Sequence, residues 1–475
     1  MKSLFIMFAL LCGCILAKAE TRIVSNTNNS GLGSLRAEID SAQSGDTIRF
    51  SPSLIASGTD SIVLTTSIST SKSLTIIGLY NSSDSLILSG GNTSRLFYVF
   101  SASHFTLDSL IIQNGFSTSA NGGAIYYNIE GNIIIKNCIF RNNRISNNSS
   151  SSGGAIWAFT DSSVVLKNCL LTNNSAKLVR GGSGGGAFFQ AENVSIEDCT
   201  ISENNITSLY NSYGAGIAIY FKDELIVANN NISNNSAISN SYNKSHGGGI
   251  FAVSAGFSSY PNNSSIISNN TINHNSTLSS YSTSSGAYGG GIYVISDSIV
   301  INKNTVNGNS ISTSGDALSP SGFAYGGGIY AKSTNLIIIS DNEIDSNTVT
   351  STSYKSPRGG GIYAEADSSV IVRNSLISRN KVSTTRVVVA AGGVFAKATY
   401  GSVIVDNCKI DSNKVLSSYN VWNRSSFAGG LELFFAKNST INNNSTFIQN
   451  PKIASGVYIF KIKIKEKYYI KKCQL

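Results

Sequence analysis

A short phrase recurs along this chain. Glycines precede an apolar pair (GGAIYY, GGGIFA, GGGIYV, GGGIYA), an alternating apolar run follows, and an apolar-x-x-Asn step closes it. The apolar residue behind the glycines falls at Ile125, Ile156, Phe188, Ile217, Ile250, Ile292, Ile329, Ile362, Val394 and Leu431, at intervals of 29 to 42 residues. A period of this size marks stacked units, because each unit is too small to bury its own apolar face. The β-branched alternation and the abundance of Gly and Asn exclude an α-solenoid of similar period. In residues 153–174, GGAIWAFTDSSVVLKNCLLTNN, strands are expected at Ala155–Phe159 and Val164–Leu166, with a last one ending at Asn174. Three short strands with sharp turns make one coil of a parallel β-helix. The fold expected is all-β: a right-handed parallel β-helix solenoid with an N-terminal capping helix.

Two residue columns support that register. Asn recurs three positions after an apolar residue at Asn114, Asn143, Asn174, Asn204, Asn235, Asn275, Asn309, Asn347, Asn380, Asn413 and Asn450. Stacked Asn side chains hydrogen-bond along the axis and tolerate left-handed backbone at corners, so this is a structural ladder. The second column holds Cys138, Cys169, Cys199 and Cys408, with Asn230, Asn270, Asn304, Asn342 and Ser375 at the same position elsewhere. The Cys spacing matches no metal site, and stacked small side chains at a corner are expected. A disulfide from Cys169 to Cys138 or Cys199 is sterically allowed, since coil spacing falls near the usual Cα separation. No metal and no cofactor is expected.

Charge is sparse, at 13% of residues. The formal net charge of +9 belongs to the chain ends. Removing Lys2, Lys18 and the net six positive charges from Lys452 onward leaves about +1 for residues 20–451. Such a body cannot build the basic face that nucleic acid demands. Residues 1–19 read as a secretory signal, with Lys2, an apolar Leu4–Leu11 core and Ala17-Lys18-Ala19 as the cleavage site. A lipoprotein leader cut before Cys14 is the alternative. No later segment is apolar enough to span a bilayer as a helix. Residues 20–104 are read as cap and first coils, with Ser34 starting a helix on which Leu35, Ile39 and Ala42 share a face. Repeats occupy residues 105–451, and a Lys-rich tail fills 452–475.

The stretches Gly122–Ile125 and Phe140–Asn143 resemble the twin motifs of chlamydial polymorphic outer membrane proteins. Gly31–Arg36 and Asp46–Phe50 are similar to the N-terminal cap of secreted bacterial right-handed β-helix proteins. The tail ASGVYIFKIKIKEKYYIKKCQL resembles the end of a type IX secretion sorting domain, without that domain's preceding strands. These likenesses imply the fold and a bacterial outer-surface or secreted location, with secretion machinery as a partner. They leave activity open.

Glycoside hydrolysis needs two carboxylates facing each other across a bond. The candidates are Asp341, Glu343 and Asp345 on the outer face of one strand, with Glu365, Asp367, Arg358 and Arg373 nearby. His104, His246 and His274 lie in different coils. The Ser-, Asn- and Tyr-rich loops before the glycine runs enter the repeat at one point and should emerge along one edge. They carry Tyr242, Tyr281, Tyr288, Phe323, Tyr325, Tyr354, Tyr419 and Trp422 as ligand-binding candidates, or as a cover for the coil's own side. The leading expectation is a non-catalytic adhesin binding an extracellular glycan or surface protein. A polysaccharide lyase or glycoside hydrolase, and a structural surface protein, are the alternatives.

Overall fold

The computed structural model describes residues 19–474 except 80–83, 120, 241–243, 255–262, 281–285, 315–321, 353–354, 386–390, 418–428, 436–439, 443–444, 447–456 and 465–466. The chain winds into an all-β solenoid whose coils stack through parallel sheets. The main sheet has 24 strands, because each coil contributes two legs; Ile156–Phe159 and Ser163–Lys167 are such a pair. A 13-stranded sheet holds Leu170–Thr172 and its equivalents, and a ten-stranded sheet holds Ser175–Leu178 and its equivalents. Pairing is in register from coil to coil, as in Ile125↔Ile156 and Val164↔Val194. The inward residues of every leg therefore form continuous columns, and Ile125, Ile156, Ile217, Ile250, Ile292, Ile329 and Ile362 are fully buried. At one coil the inward position is Ala187, paired with Ile156; Phe188 pairs with Trp157 and faces outward, one residue from the expected register.

Each corner is built by a left-handed residue that turns the chain and swings its successor inward. Asn142, Asn173, Asn234, His274 and Arg379 have φ between 53° and 57° and immediately precede ladder Asn residues. Left-handed backbone thus sits one position before the ladder, not on it as the sequence suggested. Asn114 is itself left-handed, and Gly115 takes the ladder position, donating its N–H to Asn143 Oδ1 at 2.8 Å. Asn450 lies outside the described residues. From Asn143 through Asn380, each rung donates both its backbone N–H and its Nδ2 to the Oδ1 of the next, as Asn143 does to Asn174 at 3.0 Å. The second Nδ2 hydrogen goes to a carbonyl of the preceding coil, as in Asn174 to Phe140 O. All nine rungs from Asn143 to Asn413 are fully buried, so this saturation removes a desolvation cost at every coil.

The repeated glycines have the same origin. Gly247 adopts φ +63°, open to glycine at little steric cost. A Cβ on Gly249 would lie 2.8 Å from Gly291 O and 3.1 Å from the Asn275 amide. The glycine run therefore lies directly across the narrow coil from the Asn ladder.

Two further elements were not anticipated. Ser- and Thr-rich stretches after the ladder Asn, such as SAKL, NITS and SAIS, form strands of the ten-stranded sheet, burying Ala176, Ile206 and Ala237. Thr21–Val24 pairs with Thr47–Phe50 and opens the main sheet. The helix Leu35–Ser41 lies between them; Ser34 Oγ accepts from Ala37 N–H, and Leu35, Ile39 and Ala42 are buried. At the other end Val457–Ile464 pairs in parallel with Leu431–Phe435 and antiparallel with Lys467–Gln474. Among the described residues no helix is long and apolar enough to cross a membrane.

Candidate functional site

The carboxylates offered for catalysis do not converge. Asp341 is the left-handed residue (φ 58°) before the strand Glu343–Asp345, and it accepts a hydrogen bond from Asn374 Nδ2 at 3.2 Å. Glu343 is exposed, whereas Asp345 is buried. The three therefore do not share one open face. Asp345 is enclosed by Arg379, whose Nε and Nη2 lie 2.7 and 2.5 Å from its two oxygens, and by Ser378 and Ser346 at 2.7 and 2.8 Å. Burial alone would raise this carboxyl, but the hydrogen bonds from Arg379, Ser378 and Ser346 outweigh it and hold the group below its ordinary range.

Glu365 belongs to the main sheet, in the strand Ile362–Ala366, aligned with Lys332 on one side and Lys397 on the other. It accepts from Lys397 Nζ at 2.8 Å and Tyr363 Oη at 2.6 Å. Here too burial pushes the carboxyl up, and the Lys397 and Tyr363 hydrogen bonds bring it down. Both groups are held ionised and engaged, the opposite of a general acid. Arg373 aligns with Ser340 and Asp406, and Arg358 lies over the rings of Tyr325 and Phe395 at 5.9 and 4.7 Å. Among the described residues no three His, Cys, Asp or Glu side chains are arranged to hold a metal.

The aromatic loop residues have a different setting from a free edge. Gly286–Tyr288 and Phe323–Tyr325 are strands of a five-stranded side sheet that starts at Gly181–Ser183. They pack over an aromatic column on the outside of the main sheet. Its rings, Phe251, Tyr293, Tyr330, Tyr363 and Phe395, stack with centroids 4.7 to 5.0 Å apart and planes within 12°. Tyr288 lies 5.2 Å from Tyr330, and Tyr325 lies 4.7 Å from Tyr363. Burial raises the hydroxyls of Tyr213 and Tyr288 well above the usual phenol range. Phe323 is half-buried and carries Lys355 over its ring at 5.4 Å. Tyr242, Tyr281, Tyr354, Tyr419 and Trp422 lie outside the described residues.

The same outward column continues into coils that precede the side sheet. There Tyr98, Tyr126, Trp157 and Phe188 stack at 4.6, 4.6 and 6.0 Å. Tyr98, Tyr126 and Trp157 are half-buried, and beside them Phe100 and Phe159 are 39% and 38% exposed. Arg95 is held by Gly122 O, Asn121 O and Ser117 Oγ, with its guanidinium 5.8 and 5.5 Å from the Tyr98 and Tyr126 rings. The sequence signal for this strip is the residue after each inward Ile or Phe, in FYVF, IYYN and IWAF, where alternation turns an aromatic outward.

A repeat of parallel, in-register coils with these corner columns decides the family. A family described as right handed beta helix region matches residues 91–318 and 255–462. The chain belongs to the right-handed β-helix family. No curated protein and no solved structure matches it. Within a β-helix the outer faces of the sheets are the surfaces free to vary, and the strip at Tyr98–Phe159 sets exposed Phe100 and Phe159 beside half-buried stacked rings on such a face.

Proposed function

We propose that this β-helix protein is a non-catalytic binding rod, exported to the outer surface or the medium, that grips an extracellular glycan lengthwise along the Tyr98–Phe159 strip. One observation carries the reading: ahead of the side-sheet strands the column is only half-buried, and Phe100 and Phe159 beside it are exposed. Rings fixed by stacking offer rigid contact area at little entropic cost, and Tyr hydroxyls on their edges supply hydrogen bonds. The row from Tyr98 to Trp157 places one ring per coil along the outer face of the main sheet, with Phe188 next in line already buried. It suits many weak contacts with an extended chain better than one deep pocket. The paired state of Asp345 and Glu365 argues against hydrolysis or β-elimination at those groups. On this reading the helix Leu35–Ser41 closes the first coil, protecting it from pairing with another chain.

The test is retention on immobilised polysaccharides and surface proteins, comparing the wild type with Trp157→Ala and Phe159→Ala. Retention on a polysaccharide that falls at least tenfold in both variants supports the reading. Retention on a protein alone, or retention untouched by either variant, overturns it.

A further inference from the structure

We propose that Cys138, Cys169 and Cys199 form a redox-active column in which a single disulfide forms between adjacent coils and slides between two positions, always through Cys169. The three residues precede Ile139, Leu170 and Thr200, which are aligned Cα partners on successive coils. Their side chains stack directly. Cys138 N–H points to Cys169 Sγ at 3.5 Å, and Cys169 N–H points to Cys199 Sγ at 3.4 Å. The column is closed at both ends by residues that cannot join it. The preceding coil places Leu110 at this position, since Ile111 aligns with Ile139; in the coil after Cys199, Asn230 Oδ1 accepts from Cys199 N–H at 2.8 Å. All three thiols are free.

Neighbouring coils are about 4.8 Å apart, inside the Cα range a disulfide spans, and next-but-one coils are about 9.6 Å apart, outside it. Cys138 therefore cannot reach Cys199, and any bond must use Cys169. With three sulfurs one thiol is always left over, directly in line with the bond. Displacement at sulfur proceeds with entering, central and leaving sulfurs collinear, which is the arrangement a stacked column supplies. In the first step the two thiols lose two electrons and two protons to a small disulfide oxidant, which becomes two thiols. In the second, Cys199 thiolate attacks Cys169 of a Cys138–Cys169 bond, and Cys138 leaves as thiolate, with no further oxidant.

A depression of about 250 Å³ lies over the corner at Cys138 and Cys169, lined also by Asn137, Asn168 and Asp198, but the three thiols are buried beneath it, so a small disulfide reaches them only when the corner opens locally. Burial raises the Cys169 thiol, and the hydrogen bond to Cys169 together with burial raises Cys199 as well, so oxidation and exchange are both slow at neutral pH and accelerate in base. Cys408 is the built-in control. It occupies the same column, but the coil before it carries Ser375 there. Ser375 Oγ accepts from Asn342 N–H and donates to Arg373 O, so serine satisfies this corner without disturbing it.

The experiment is to treat the folded full-length protein with oxidised glutathione at pH 8.5, alkylate free thiols, digest with trypsin and identify linked peptides by mass spectrometry. Cys138, Cys169, Cys199 and Cys408 fall on four different tryptic peptides. Expected are Cys138–Cys169 and Cys169–Cys199 links together, no Cys138–Cys199 link, and Cys408 alkylated. Cys199→Ser should leave only the first link, Cys138→Ser only the second, and Cys169→Ser neither. Four fully alkylated cysteines, a Cys138–Cys199 link, or links that survive Cys169→Ser would overturn the proposal.

Discussion

Removing one rung of the Asn ladder should loosen the stack locally, and by an amount that depends on where the rung sits. Asn275 Oδ1 accepts both Asn235 N–H at 3.1 Å and Asn235 Nδ2 at 2.9 Å, and its own Nδ2 reaches Ile232 O at 2.8 Å. Asn275→Ala orphans two buried donors on Asn235, while Asn309 Oδ1 keeps the bond from the backbone N–H of residue 275. At about 1–3 kcal/mol for each unsatisfied buried group, the expected cost is about 2–6 kcal/mol. Asn143 is the first rung, and its Oδ1 accepts the Gly115 N–H. Asn143→Ala orphans that single donor and should cost about 1–3 kcal/mol. A stack of repeats does not unfold in one step, so a global midpoint is a poor readout. Native-state hydrogen exchange reads local opening instead. Amides of residues 231–235 should exchange roughly 30-fold faster or more in Asn275→Ala, since about 1.4 kcal/mol is tenfold, with coils beyond residue 380 unchanged. Acceleration below threefold, or an equal effect from Asn143→Ala, would refute the saturation argument.

Other expectations concern pH, backbone and charge. His246 is buried among Tyr213, Tyr288 and Tyr293, and burial pulls its pKa down to about 3. The unfolded chain therefore binds a proton the folded chain refuses, and stability falls as pH drops from about 6.5 toward 3. In thermal melts at pH 4 and pH 7, His246→Phe should keep the stack and shrink the difference between them. Asp345 and Glu365 have depressed folded pKa values, so their contribution is present above the unfolded carboxylate range and lost as pH falls through the folded values. Asp345→Asn should lower the melting temperature at pH 7 and have less effect at pH 3. Gly326 has φ +71°, and a Cβ there would run into Ile329 O. Gly326→Ala should cost about 1–3 kcal/mol, read as faster exchange in residues 329–333.

Much of the fold was legible because each coil repeats the same physical problem. Inward Ile and Val alternate with outward residues, and Asn and Cys fall at fixed steps after each corner, so spacing alone places the coils. The errors occurred where one residue of register matters. Ala187 directly follows the third Gly of GGGAFF, the place Ile292 takes in GGGIY, and the larger Phe188 behind it looks like the start of the apolar pair. The left-handed residue precedes the ladder Asn because it must turn the chain before the amide can point inward. The strands SAKL and NITS look like polar linkers, since so short a strand turns only one or two apolar residues inward, Ala176 and Leu178 in one and Ile206 in the other. The site was less legible. Asp341, Glu343 and Asp345 alternate in sequence, but Asp341 is itself a left-handed corner residue, and the Arg379 clasp on Asp345 comes from the next coil. Tyr288 and Tyr325 read equally as ligand contacts or as a cover for the coil, and aligned strands fold them onto Tyr330 and Tyr363. The half-buried strip at Tyr98–Phe159 was present in the alternation, whereas the side sheet over the later part of the same column was not.

The most direct test of a non-catalytic rod is a turnover assay on the polysaccharides it retains, following reducing ends and unsaturated sugar by absorbance and mass spectrometry. The account predicts bound polysaccharide of unchanged length after prolonged incubation, with the same result for Asp341→Asn, Asp345→Asn and Glu365→Gln. Released product that disappears with any one of those substitutions would contradict it and place an enzyme's carboxylates on this helix.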